Sequence, residues 1–140
     1  MDNIIDYVKH IYNLNLAHYP LEEWMKINYD LGKVYDMYGI KDDEYGRNIK
    51  NTARHFTGGA LGNKFYGQDI SYQLGQLKEM SDAKRDKGKE WFADDNFIDN
   101  VNNHRGMTYS IQHPNATRDE IYHAAILQAI KNYNADYPKN

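Results

Sequence analysis

Cysteine is absent from the 140 residues. That excludes disulfides, thiolate-held metals and a cysteine nucleophile, and it leaves the redox compartment open. No stretch approaches the roughly 20 apolar residues needed to span a bilayer, so no transmembrane segment is expected. The opening residues MDNIIDYVKHIYNLNL carry acids early and polar residues throughout, unlike a secretory leader. The expectation is a protein cytoplasmic in the producing cell, or one exported without a signal peptide. Positive charge is in deficit, with 17 Lys and Arg against 20 Asp and Glu and a formal charge of −3, which argues against a general nucleic-acid binder. Several signatures are also missing. There is no HExxH and no EF-hand pattern, and the glycine-rich stretch TGGALG lacks the Lys-Ser/Thr of a phosphate-binding loop. No nucleophile elbow supports a serine triad. Phe and Trp are few, at 4 and 2, while Tyr reaches 13. That skew fits an AT-rich coding bias, or half-buried tyrosines at a partner surface.

What is present reads as a single domain over residues 1–140, 41% hydrophobic and 26% charged, all-α, with five or six packed helices and almost no strand signal. Asp2 caps a first helix carrying Ile4, Ile5, Val8, Ile11 and Tyr12. Pro20 suits the first turn of a second, with the stripe Trp24, Ile27, Leu31, Val34 and Tyr38 and a stop at Gly39. After a polar connection over 40–47, a third helix covers about 48–66. Asp69 caps a fourth, with Ile70, Leu74, Leu77 and Glu79, running to about 85. A charged stretch (81–95) precedes a short fifth helix over about 96–106, and residues 106–116 read as irregular. Thr117-Arg118-Asp119-Glu120 is a capping box for a last helix with the stripe Tyr122, Ile126, Ala129, Ile130 and Tyr133.

The chemistry-bearing residues cluster between about 48 and 106. His55 shares a helix face with Gly58, Gly59 and Gly62, three, four and seven positions on. Each mid-helix glycine costs about 1 kcal/mol relative to alanine, so something must approach this backbone closely, either a packed helix or a ligand in a groove. Arg54 points about 100° away from its neighbour. It is expected to reach a carboxylate such as Glu79, Asp82 or Asp99, with substrate binding as the alternative. Glu79 and Asp82 lie three apart on one face, where repulsion raises one pKa if they are partly buried; a solvated acidic face answered by Lys78, Lys84 and Arg85 is the plainer reading. Asp99, Asn102, Asn103 and Gly106 stand at i, i+3, i+4 and i+7 and form one polar face. It would be either a site, with Asp99 orienting a histidine and the amides donating to an anion, or a run of Asx caps and turns. A divalent metal could be held by His55, His104 and a carboxylate, or by Asp99, Glu79 and Asn103. Glu120 and His123 read as a surface pair.

Taken in order, R-H … E … D-x-x-N-N-x-x-G resembles a pattern in small soluble bacterial helical domains of unknown function, and is more distantly similar to YfiM-like lipoproteins and VanZ-like membrane proteins. The match covers about residues 51–106, through His55, Gly75, Lys78–Asp82, Asp99, Asn102, Asn103 and Gly106. This chain departs from it in lacking the hydrophobicity of the VanZ-like proteins, and the tryptophan that the soluble relatives carry soon after R-H. The resemblance implies that the three segments meet in space.

Two functional expectations follow. One is a hydrolase, phage-borne or secreted and antibacterial, acting on an envelope, lipid or phosphoester substrate. His55 would be its base or acid, Glu79 or Asp99 the orienting carboxylate, and Arg54, Asp82, Asn102, Asn103 and His104 binding residues. The other is a phage-encoded inhibitor or virion component that binds a protein partner, in which the same set is a buried clamp. Exposure separates them: a cleft lined by His55, Asp99 and Asn103 favours the enzyme, while buried and mutually bonded side chains favour the clamp.

Overall fold

A computed structural model of the chain describes residues 18–66 and 92–139. These residues form four α-helices, α1 (His18–Met37), α2 (Glu44–Tyr66), α3 (Phe92–Gln112) and α4 (Arg118–Asp136). No strand occurs among the described residues, so they are all-helical. The helices expected around Ile4–Tyr12 and Ile70–Glu79 lie outside them. No described helix is long and apolar enough to cross a membrane.

Helix α1 buries Ile27, Leu31, Val34 and Tyr35, the inward stripe of its sequence. It stops where Gly39 adopts a left-handed φ of 66°, and Ile40 N–H returns 3.1 Å to the Tyr35 carbonyl, closing the last turn in Schellman fashion. Helix α2 starts about four residues earlier than its apolar pattern suggests. Asp43 Oδ1 accepts the Gly46 N–H at 2.7 Å and caps the first turn, so half of the polar run 40–47 is helical.

The larger correction concerns α3. It does not end at 106 but continues through Gly106 to Gln112, burying Met107 and Ser110 on the way. The chain leaves the helix at His113, whose helical conformation is disfavoured by Pro114. Ala116 N–H to His113 O, at 3.0 Å, forms the turn. Helix α4 has the full capping box, with Glu120 N–H to Thr117 Oγ1 at 3.1 Å and Thr117 N–H to Glu120 Oε1 at 3.3 Å. Its buried stripe is Ile121, Tyr122, Ala125, Ile126 and Ala129; Ile130, expected inside, is 37% exposed.

The central element is α2, whose Ile49, Ala53, Phe56, Thr57, Ala60 and Leu61 are all buried. Its main partner is α3, then α4, with α1 completing the core. Helices α2 and α3 run parallel, because Asn51, His55 and Asn63 meet residues 48, 48 and 47 positions later. Helix α4 runs antiparallel to α2, with Tyr133 against Tyr45 at one end and the Ala116 carbonyl on Lys64 at the other.

Two glycines set the α2–α3 separation. A methyl at Gly59 would collide with the Asn103 carbonyl, and one at Gly106 with the Phe56 carbonyl. Of the three glycines expected on the His55 face, Gly59 is the buried one, while Gly58 and Gly62 are half-buried. A neighbouring helix therefore occupies the space against Gly59. Gly59→Ala is expected to cost about 2–3 kcal/mol by forcing these backbones apart. Gly32→Ala, at an exposed helical site with nothing within 4 Å, should gain about 1 kcal/mol. Urea unfolding of the two variants measures both.

Candidate functional site

The α2–α3 contact is a polar seam. From α2 it takes Asn51, His55, Gly59 and Asn63, each one turn after the last, and from α3 Asp99, Asn103, Gly106 and Ser110. Asn51 Nδ2 donates to Asp99 Oδ1 at 2.9 Å. His55 Nε2 lies 3.3 Å from the same Asp99 oxygen, and His55 Nδ1 lies 3.1 Å from Asn103 Oδ1. Beyond the glycine crossing, Asn63 Nδ2 donates to Ser110 Oγ at 3.1 Å. The spacings of four, three and four along α3 keep one face toward a parallel neighbour, here filled with short polar side chains and glycine instead of leucine.

His55 sits at the middle of this seam, its side chain 6% exposed, with that of Asp99 at 15%. A protein oxygen faces each ring nitrogen. Asn103 can answer either form of the ring, since its amide oxygen accepts from a protonated Nδ1 and its NH2, turned about χ2, donates to a bare one. Burying a histidine–carboxylate pair is tolerable because neighbouring amides complete its hydrogen bonding; Asn51 does so for Asp99.

Asn102, expected on the same face as Asp99 and Asn103, belongs to a second cluster. It is 1% exposed. Its Nδ2 donates to the Ile98 carbonyl at 3.0 Å and reaches Asp136 Oδ2 at 3.5 Å. Arg105 Nη1 donates to Asn102 Oδ1 at 3.1 Å and to Asp136 Oδ2 at 2.8 Å. This cluster fastens α3 to the end of α4 and ties the Asn102 amide to Ile98, Arg105 and Asp136.

The other expected site residues fall elsewhere. Glu79 and Asp82 lie outside the described residues. Arg54 is half-buried on α2, where its charge acts on the Tyr35 hydroxyl; two of its three expected carboxylate partners, Glu79 and Asp82, are among the residues not described. The fastening arginine is Arg105, which sequence reasoning missed because Asp136 is 31 residues away. His104 is exposed on α3. Among the described residues no group of three His, Asp or Glu converges to hold an ion. Asn51, Asn63 and Ser110 were also missed, although steps of four from His55 and from Gly106 reach all three.

A further polar layer joins α1 to α4. Tyr122 donates to Asp30 Oδ2 at 2.7 Å and accepts from Arg118 Nη1 at 3.1 Å. The Tyr38 hydroxyl lies 2.7 Å from His123 Nδ1. His123 is thus half-buried and bridges two helices, where a surface position was expected, and Glu120 serves the cap.

No protein-family model, no curated protein and no solved structure matches the chain.

Burial raises the hydroxyl pKa values of Tyr35 and Tyr122 from 10.0 to about 12. Both phenols are neutral when protonated, so their contribution to stability is complete below pH 10 and is lost as pH rises toward 12. Unfolding free energy is expected to fall across that window, and Tyr122→Phe should flatten the fall. Denaturant titrations at graded alkaline pH, followed beside tyrosinate absorbance, check this.

Proposed function

We propose that this chain is a helical protein-binding module of the inhibitor or virion-component class, and that its His–Asp–Asn set is a structural clamp. The observation that carries the reading is the occupancy of His55. One ring nitrogen faces Asp99 and the other Asn103, whereas a general base or acid needs a nitrogen within reach of the substrate. A hydrolase would have to give up one of these contacts in every turnover.

The partner-facing surface that fits best is the outer side of α1. Met25 and Tyr29, one turn apart, are 66% and 67% exposed, and Met37 is 73% exposed. Lys33 Nζ stands 4.4 Å from the Tyr29 ring centroid, which holds the aromatic in place. Tyrosine and methionine are the residue types that supply contact area at binding surfaces at modest entropic cost, and the exposed Gly32 leaves room between them for a close approach.

His55→Ala and Asp99→Ala are each expected to destabilise the fold by about 3 kcal/mol, with the double variant well short of the sum. A His55→Ala protein that melts like the parent would sink the clamp and return His55 to catalysis. Tyr29→Ala should leave the melting temperature unchanged while weakening retention of the protein partner in affinity capture from producing cells. Equal retention would remove α1 from the interface.

A further inference from the structure

On the side of α3 away from the His55 seam lies an open groove of about 590 Å³, lined by Phe56, Val101, Arg105, Thr108, Tyr109 and Gln128 among others. Its volume falls in the range typical of small-molecule sites. The walls divide by chemistry. Phe56 and Tyr109, with ring centroids 5.6 Å apart and planes tilted by 53°, form an aromatic corner beside Val101. Arg105 supplies a cation, and His104, Thr108 and Gln128 add an imidazole, a hydroxyl and an amide to the lining.

Arg105 is the informative residue. Both of its bonds to the protein, to Asn102 Oδ1 and Asp136 Oδ2, leave from the single nitrogen Nη1. Among the described residues Nε and Nη2 have no partner, and the side chain is 31% exposed. A guanidinium carries five N–H donors in a rigid fork. Here one arm is tied to a buried amide and a carboxylate that is 9% exposed, which fixes the plane, while no described residue takes the other arm of this groove-lining side chain. Because Asp136 already neutralises the charge, the remaining donors favour a polarised but uncharged acceptor over a second carboxylate.

We propose that this groove binds a small planar apolar molecule bearing an uncharged carbonyl oxygen, with its ring in the Phe56–Tyr109 corner and its oxygen on the free arm of Arg105. The site shares no residue with the α1 face and does not depend on the protein-binding reading.

The test uses the full chain, isotope-labelled, titrated separately with benzamide, benzoate and benzylammonium while amide shifts are followed. Benzamide is expected to move resonances of Val101, Thr108 and Tyr109 in a saturable way, and benzylammonium to move none of them. Arg105→Lys keeps the charge opposite Asp136 but loses the fork, and should weaken benzamide by about tenfold. Thr108→Trp, at an exposed rim position, should close the groove and abolish binding with the rest of the spectrum preserved. Absence of saturable shifts with benzamide would overturn the site, as would benzamide binding that neither variant alters. Tighter binding of benzoate or benzylammonium would overturn the uncharged-carbonyl assignment.

Discussion

Backbone contact between α2 and α3 at Gly59 and Gly106 is the constraint on which the rest depends. Helices packed through ordinary side chains stand about 8–10 Å apart, and glycine at a crossing lets two backbones approach more closely than larger side chains allow. At Gly59 the direction a side chain would take is filled by the Asn103 carbonyl, and at Gly106 by that of Phe56. The hydrogens standing in for those side chains therefore point at carbonyl oxygens, a weak but recurrent contact at close helix crossings. Two glycines that cost helix stability hold the backbones in contact, with a row of short polar bonds on either side of them.

That row in turn specifies an arrangement. Leucines along the same faces would tolerate sliding or reversal of one helix against the other. Asn51 with Asp99, His55 with Asp99 and Asn103, and Asn63 with Ser110 are satisfied together only in a parallel register offset by 47 or 48 residues. A slip would strand buried polar groups at a cost of about 1–3 kcal/mol each. The Asn102–Arg105–Asp136 cluster does the same for the end of α4, and the Tyr122–Asp30 and Tyr38–His123 bonds tie α1 to α4. Polar contacts set direction and register here, while the apolar stripes of α1, α2 and α4 supply the bulk of the burial.

The local signals were legible. The Gly39 stop, the Thr117–Glu120 capping box and the buried residues Ile27, Leu31 and Val34 all lie where spacing and cap chemistry put them, because these depend on neighbours within about one turn. The alignment of Asp99, Asn103 and Gly106 was legible as well. The extent of α3 was not, since residues 106–116, ending in His113-Pro114, read as irregular until the Phe56 backbone appears against Gly106 and makes the missing side chain an advantage. Arg105 and Asp136 were invisible for the same reason, being ordinary charged residues 31 positions apart.

By itself, then, the sequence determined that the described segments are helical, where several of them start and stop, and which positions share a face. Only the tertiary structure decided that the face bearing His55 is closed by α3, that Asn102 turns to α4 while its neighbour Asn103 turns to α2, and that Arg105 fastens α3 to the end of α4. The physical reason is that helical periodicity belongs to one chain segment, whereas the burial of a polar group and the identity of its partner are properties of two segments brought together.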